Sequence, residues 1–169
     1  GNGSNLQALI DAQQAGKLPT DIRAVISNRA DAYGLVRAEA AGIETAVLSH
    51  REFSDREQYD RQLITLIDRY QPGLVILAGF MRILSDHFVK HYLGRLINIH
   101  PSLLPAFRGL NTHERALASG VQRHGCSVHY VTPELDAGPV IVQASIPIVK
   151  GDTPAPLAAR VQIQEHRIY

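Results

Sequence analysis

Leu74-Val75-Ile76-Leu77-Ala78 is an unbroken apolar run set between Pro72-Gly73 and Gly79. It is short for a helix and carries β-branched residues, so it reads as a strand. A strand with no polar side must be covered on both faces. A parallel strand inside a sheet flanked by helices meets that condition, and the pattern on either side agrees. Residues 5–15 read as a helix with Leu6, Leu9 and Ile10 on one face, residues 22–27 as a strand, and residues 33–41 as a helix stopped by Gly42. Residues 43–48 form a second short strand. Ser54-Asp55-Arg56-Glu57 is a capping-box pattern, starting a helix that runs to about Tyr70. Ser85 caps a helix through Tyr92, and residues 95–99 are the next strand. The alternation predicts an α/β fold, a doubly wound, Rossmann-like and mostly parallel sheet with ligands at the C-terminal ends of its strands.

After Pro105 the rhythm changes. Residues 112–119 read as a short helix, and residues 127–131 and 140–149 as two strands around a turn at Asp136. Thr153-Pro154 opens a terminal helix with a cap and a proline in its first turn. These later strands are expected to add a mixed or antiparallel portion. No repeat, linker or low-complexity segment interrupts the 169 residues, so a single domain over residues 1–169 is expected, with a substantial core. The sequence has no initiator Met, opens on a glycine turn with no strand ahead of it, and stops at Tyr169 inside a helical pattern. The expectation is a chain that lacks a first strand and a C-terminal tail.

Asn98-Ile99-His100-Pro101 carries the clearest chemistry. On a strand, Asn98 and His100 point the same way, an amide that donates hydrogen bonds beside an imidazole that moves a proton. Pro101 and Pro105 stiffen the segment after the strand. Leu135-Asp136-Ala137-Gly138-Pro139 puts a carboxylate on a turn between two strands. Asn98, His100 and Asp136 together can stabilise an oxyanion, move a proton and tune the group that moves it, which points to acyl-type transfer.

Other motifs leave two readings open. Gly1-Asn2-Gly3-Ser4-Asn5 lacks the third glycine of a dinucleotide fingerprint and the Lys of a P-loop; it is either a single-phosphate cradle or a tight turn capped by Ser4 or Asn5. Met81, Arg82, Ile83 and Leu84 follow the central strand, either to hold a flat heterocycle or as an ordinary loop. His87 and His91 lie one helical turn apart without a third ligand, which favours a solvated face over a metal pair, and no metal is expected. His113 and His124 are unassigned; His129 reads as a hydrogen-bonded core residue and Cys126 as a buried thiol. Ser102 near His100 lacks the Gly-x-Ser-x-Gly of a hydrolase. A net charge of +1 supplies no basic field for nucleic acid. A single cysteine excludes an internal disulfide and suits a reducing cytoplasm. No apolar stretch approaches the ~18 residues of a membrane span, and no signal peptide is visible. A cytoplasmic protein acting on small molecules, as monomer or homodimer, without nucleic acid or membrane partners, is the expectation.

Gly-Asn-Gly-Ser-Asn-Leu-Gln (1–7), Leu-Ala-Gly-Phe-Met-Arg-Ile-Leu-Ser (77–85), Asn-Ile-His-Pro-Ser-Leu-Leu-Pro (98–105), Gly-Cys-Ser-Val-His-Tyr-Val-Thr (125–132), Leu-Asp-Ala-Gly-Pro-Val-Ile (135–141) and Arg-Val-Gln-Ile-Gln-Glu-His (160–166) occur in that order. Together they resemble the folate-dependent phosphoribosylglycinamide formyltransferases of purine synthesis. The resemblance implies 10-formyltetrahydrofolate as co-substrate, no metal, and Asn98, His100 and Asp136 as catalytic. It implies Gly3, Ser4, Asn5, Gln162 and Glu165 on the phosphoribosyl substrate. It also implies Arg56, Met81, Arg82, Ile83, Leu84, Asn98, Thr132, Pro133, Glu134, Leu135 and Asp136 around the folate. Pro133 departs from the family pattern, where an acidic residue is usual. Formyltetrahydrofolate deformylase shares the Asn-His-Asp core but gives the formyl group to water; methionyl-tRNA formyltransferase would bring a basic RNA-binding surface. The glycine turn, Gln162 and Glu165 favour the ribonucleotide transferase over the deformylase, the net charge of +1 argues against the tRNA enzyme, and retention of Asn98, His100 and Asp136 argues against a non-catalytic binding module.

Overall fold

The computed structural model describes residues 2–169, so Gly1 of the glycine turn lies outside the described residues. The chain forms two compact units, divided between Tyr92 and Leu93.

The first unit begins with α1 (Ser4–Gln14), followed by β1 (Val25–Ser27), α2 (Tyr33–Ala40) and β2 (Thr45–Val47). β1 and β2 pair in parallel, Val25 opposite Thr45 and Ser27 opposite Val47, with α2 as the crossover that such pairing requires. A short 3₁₀ turn (His50–Glu52), α3 (Arg56–Asp68), β3 (Val75–Leu77) and α4 (Asp86–His91) complete it. The apolar stripe of α3 buries Tyr59, Leu63, Ile64 and Ile67, and α3 packs on α4, whose Phe88 and Val89 are buried. The N-terminus of α3 is set one residue later than the capping box predicts. Asp55 is the N-cap, accepting from the Gln58 backbone N–H at 2.8 Å, and the Ser54 hydroxyl bonds the Gln58 side chain instead. Ser85 caps α4 as expected.

Strands of the first unit, three residues each, are shorter than the sequence segments predicted for them. β3 spans three residues, and Leu74 and Ile76 remain 44% and 37% exposed, so the expected covering of both faces is not met.

The second unit contains β4 (Leu96–His100), α5 (Thr112–Ser119), β5 (Arg123–Tyr130), β6 (Val140–Pro147) and α6 (Pro154–Ile168). β4, β5 and β6 pair antiparallel in that order. The chain is thus an α/β fold with parallel pairing in one unit and antiparallel pairing in the other, as the change of rhythm after Pro105 predicts. β5 starts four residues before the predicted strand, over Arg123-His124-Gly125-Cys126, residues with little strand preference of their own. Gly125 makes this register possible, because a Cβ there would lie 1.9 Å from the Ala144 carbonyl oxygen. Ile99, Cys126, Val128 and Ile146 form a core with Leu157 and Val161 of α6. Among the described residues no helix is long and apolar enough to cross a membrane.

Candidate active site

Because side chains alternate along β4, Ile99 enters the core and Asn98 and His100 share the other face. The antiparallel register extends that face: Asn98 sits opposite His129, and His100 opposite Ser127. An amide, two imidazoles and a hydroxyl therefore line one side of the sheet, while Ile99, Val128 and Cys126 line the side that α6 covers.

Asp136 reaches the same face from the turn between β5 and β6. It adopts a left-handed φ of 51°, uncommon for a residue with a Cβ. The turn is pressed onto the end of β5: a Cβ at Gly138 would meet the Tyr130 carbonyl oxygen at 1.7 Å, and the Tyr130 N–H donates to Pro139 O at 2.9 Å. Asp136 Oδ2 lies 3.5 Å from His100 Nδ1, both side chains 8% exposed, and accepts the Gly109 N–H at 2.9 Å. His100 Nε2 donates to the Phe107 carbonyl at 2.8 Å. A carbonyl only accepts, so Nε2 carries a hydrogen; Nδ1 can bond the carboxylate only when it carries one too. The pair is therefore arranged to hold a proton.

His129 does more than the core role predicted for it. It is buried, and Nδ1 donates to the Tyr130 carbonyl at 3.0 Å, as expected of a hydrogen-bonded core histidine. Yet its Nε2 lies 3.8 Å from Asp136 Oδ1 with no hydrogen-bond partner. Burial holds this ring below the usual imidazole range, against the opposing pull of the Tyr130 carbonyl and Asp136. A neutral ring with hydrogen on Nδ1 presents a lone pair at Nε2, an acceptor beside the carboxylate. Only the strand register could have shown this contact.

Ser127 fastens the proline-stiffened segment. Its hydroxyl donates to Ser102 O at 2.7 Å and accepts from Leu104 N at 3.1 Å and from Gln143 Nε2 at 2.9 Å. Ser102 is thereby structural, donating to Ala106 O at 2.5 Å. His113 and His124, unassigned by sequence, stack edge to face with Nδ1 and Nε2 3.1 Å apart. Burial pushes His124 down to about 4, with His113 and His100 adding to the effect. Burial likewise raises the Cys126 thiol to about 12, with the Glu165 carboxylate assisting. His91, one of the possible metal pair, instead meets Asp68 at 2.9 Å.

The remaining predicted residues divide between the units. In the second, Thr132, Pro133, Glu134 and Leu135 form the loop leading to Asp136, with Leu135 60% exposed and Glu134 paired to Arg108 at 3.1 Å. Gln162 and Glu165 lie one turn apart on α6, Gln162 exposed and Glu165 half-buried. In the first unit, Gly3 rather than Ser4 or Asn5 is the N-cap of α1, with φ 81° and no side-chain cap. A Cβ at Gly3 would stand 3.0 Å from Gly34 Cα, so the glycine lets the turn approach α2. Arg37 holds the turn from α2, donating to Asn2 O at 2.9 Å and Gln7 Oε1 at 3.0 Å. Asn5 Oδ1 is buried without a partner. Arg56 opens α3, and Met81, Arg82, Ile83 and Leu84 form the loop before Ser85, with Met81 and Ile83 largely exposed. The Arg82 guanidinium stacks 5.0 Å above the Tyr59 ring.

The family model described as formyl transferase matches residues 1–169. Phosphoribosylglycinamide formyltransferase of Escherichia coli (strain K12) is 60% identical over 169 residues, covering 100% of this chain and 80% of its own length. The structure of phosphoribosylglycinamide formyltransferase from Coxiella burnetii superposes with a TM-score of 0.95 at 60% identity, covering 100% of this chain and 79% of that one. Glycinamide ribonucleotide transformylase 1 from Symbiobacterium toebii superposes with a TM-score of 0.96 at 44% identity, covering 100% and 80%.

Proposed function

The chain belongs to the formyl transferase family, and from that premise we propose how its residues carry out the reaction. It is a phosphoribosylglycinamide formyltransferase: it moves the formyl group of 10-formyltetrahydrofolate to the glycine amine of 5-phosphoribosylglycinamide in purine biosynthesis. The observation that carries the mechanistic reading is the single sheet face shared by Asn98 and His100, with the Asp136 carboxylate 3.5 Å from His100 Nδ1.

The amine nitrogen attacks the formyl carbon, and the carbonyl oxygen becomes an oxyanion. Asn98 offers its amide hydrogens to that charge from a preformed, largely buried face, where such donors do the most for the transition state, and His100, whose ring hydrogens go to Phe107 O and Asp136, adds the positive charge it carries when both ring nitrogens hold hydrogen. Collapse re-forms the carbonyl and breaks the bond to the folate nitrogen. One proton leaves the attacking nitrogen and one reaches the folate nitrogen; Asp136 and His100 hold it between these positions, directly or through water. The partnerless Nε2 of His129 supplies an acceptor for such a water beside Asp136.

Gly3, Ser4 and Asn5 hold the substrate phosphate at the uncapped start of α1, where N–H groups and the helix dipole favour an anion and the partnerless Asn5 Oδ1 accepts from a substrate hydroxyl. Gln162 and Glu165 contact the same substrate. Arg56, Met81, Arg82, Ile83, Leu84, Asn98 and the loop of Thr132, Pro133, Glu134, Leu135 and Asp136 take the folate; the exposed apolar side chains of Met81, Ile83 and Leu135 suit its flat ring. No step calls for a metal. A cytoplasmic site of action accords with the one buried thiol, Cys126.

Absorbance-followed release of tetrahydrofolate, with and without 5-phosphoribosylglycinamide, tests the activity. Release that depends on the ribonucleotide is the expected result. Equal release in its absence would make the chain a deformylase.

A further inference from the structure

The loop between Pro105 and α5 holds both members of the His100–Asp136 pair through its main chain: the Phe107 carbonyl takes the His100 hydrogen, and the Gly109 N–H donates to Asp136. The loop does so in a conformation that is costly to keep. Phe107 and Asn111, both with a Cβ, lie at φ 53° and 55°, and Gly109 at 83°. Such a segment persists only where its surroundings over-determine it. One of its braces is Arg115, an exposed residue on the first turn of α5. Arg115 Nη1 donates to Arg108 O at 2.5 Å and Leu110 O at 3.0 Å, and its guanidinium lies 5.6 Å above the Phe107 ring. The Arg108–Glu134 pair also ties the loop down, but its side chains are 42% and 76% exposed, and water screens such pairs heavily.

Arg108 C=O and Gly109 N–H belong to one peptide group. The Arg115 cation therefore sits at its oxygen and the Asp136 carboxylate at its hydrogen. A cation on the carbonyl fixes the peptide plane and polarises the N–H, making it a stronger donor to the carboxylate. Turning that peptide over would withdraw the N–H from Asp136 and disturb the neighbouring Phe107 carbonyl.

We propose that Arg115 is a positioning residue for the reaction, clamping the 108–109 peptide so that the loop holds Asp136 and His100 in line; this rests on the roles given to those two residues above. Arg115 touches neither reacting group, so the effect belongs in kcat rather than in KM. Arg115→Met in the full chain is expected to lower kcat about tenfold with KM for both substrates within about twofold. It is also expected to speed hydrogen exchange of the Gly109 amide about tenfold, while the exchange of β5 amides stays unchanged. Arg115→Lys keeps donors enough for both carbonyls and is expected to restore both readouts to within about threefold. An Arg115→Met protein with undiminished kcat, or one whose kcat falls while Gly109 exchange stays as in the wild type, would overturn the clamp. So would a Lys variant no better than Met. The exchange readout needs no turnover, so a wild-type chain without formyl transfer would sink the functional reading while the clamp is judged on Gly109 alone.

Discussion

Acid is expected to unfold this protein in part through His124. The ring is 1% exposed, its Nδ1 has no hydrogen-bond partner, and its Nε2 meets His113. Burial first, then His113 and His100, bring it from 6.5 down to about 4. Between these two values the unfolded chain carries a proton at position 124 and the folded chain does not. Stability is therefore complete above pH 6.5 and lost as pH falls towards 4. Each tenfold rise in proton concentration within this window costs about 1.4 kcal/mol, so roughly 1.4 kcal/mol is lost by pH 5.5 and about 2 kcal/mol by pH 5.0. Urea unfolding of the wild type and His124→Gln, followed by circular dichroism from pH 7.5 to 5.0, isolates this contribution, since Gln keeps a polar group facing His113. The wild type is expected to lose about 2 kcal/mol more than the variant over that range. Equal losses would refute the reasoning, as would a His124 ring proton titrating near 6.5 by NMR.

Replacing Gly138 with Ala drives a methyl into the Tyr130 carbonyl 1.7 Å away and must displace the turn that carries Asp136. The expected result is a fall in kcat of about a hundredfold or more, within the range for loss of proton-transfer geometry; near-normal kcat would refute it. Asp60 is buried and accepts the Ser85 N–H at 2.6 Å, anchoring the end of the loop with Met81, Arg82, Ile83 and Leu84. Asp60→Ala orphans that N–H, with an expected cost of about 1–3 kcal/mol in urea unfolding and a raised KM for the folate substrate. Cys126, with its thiol at about 12 and no exposure, is expected to resist iodoacetamide at pH 8 until the chain is unfolded.

What was legible in the sequence was local. Alternation put Asn98 and His100 on one face, and a turn between two apolar runs placed Asp136; neither step needs a distant residue. Ser85 capped its helix for the same reason. The contacts that complete the site depend on register and on loop conformation. His129 joins Asn98 only because β5 runs antiparallel to β4 in one particular register, and β5 begins at Arg123 only because Gly125 admits the Ala144 carbonyl. The loop from Phe107 to Asn111 takes left-handed conformations at two non-glycine residues, which no propensity announces. Asp60 and Ser85 lie 25 residues apart and met no pattern that would pair them.

The most direct test of the account is single-turnover formyl transfer by Asp136→Asn and His100→Ala, with substrate dissociation constants measured alongside. The account predicts a loss of about a thousandfold in the transfer step, with binding of both substrates within a few-fold of the wild type. Transfer within about tenfold of the wild type in either variant would contradict the assignment of this pair to the chemistry.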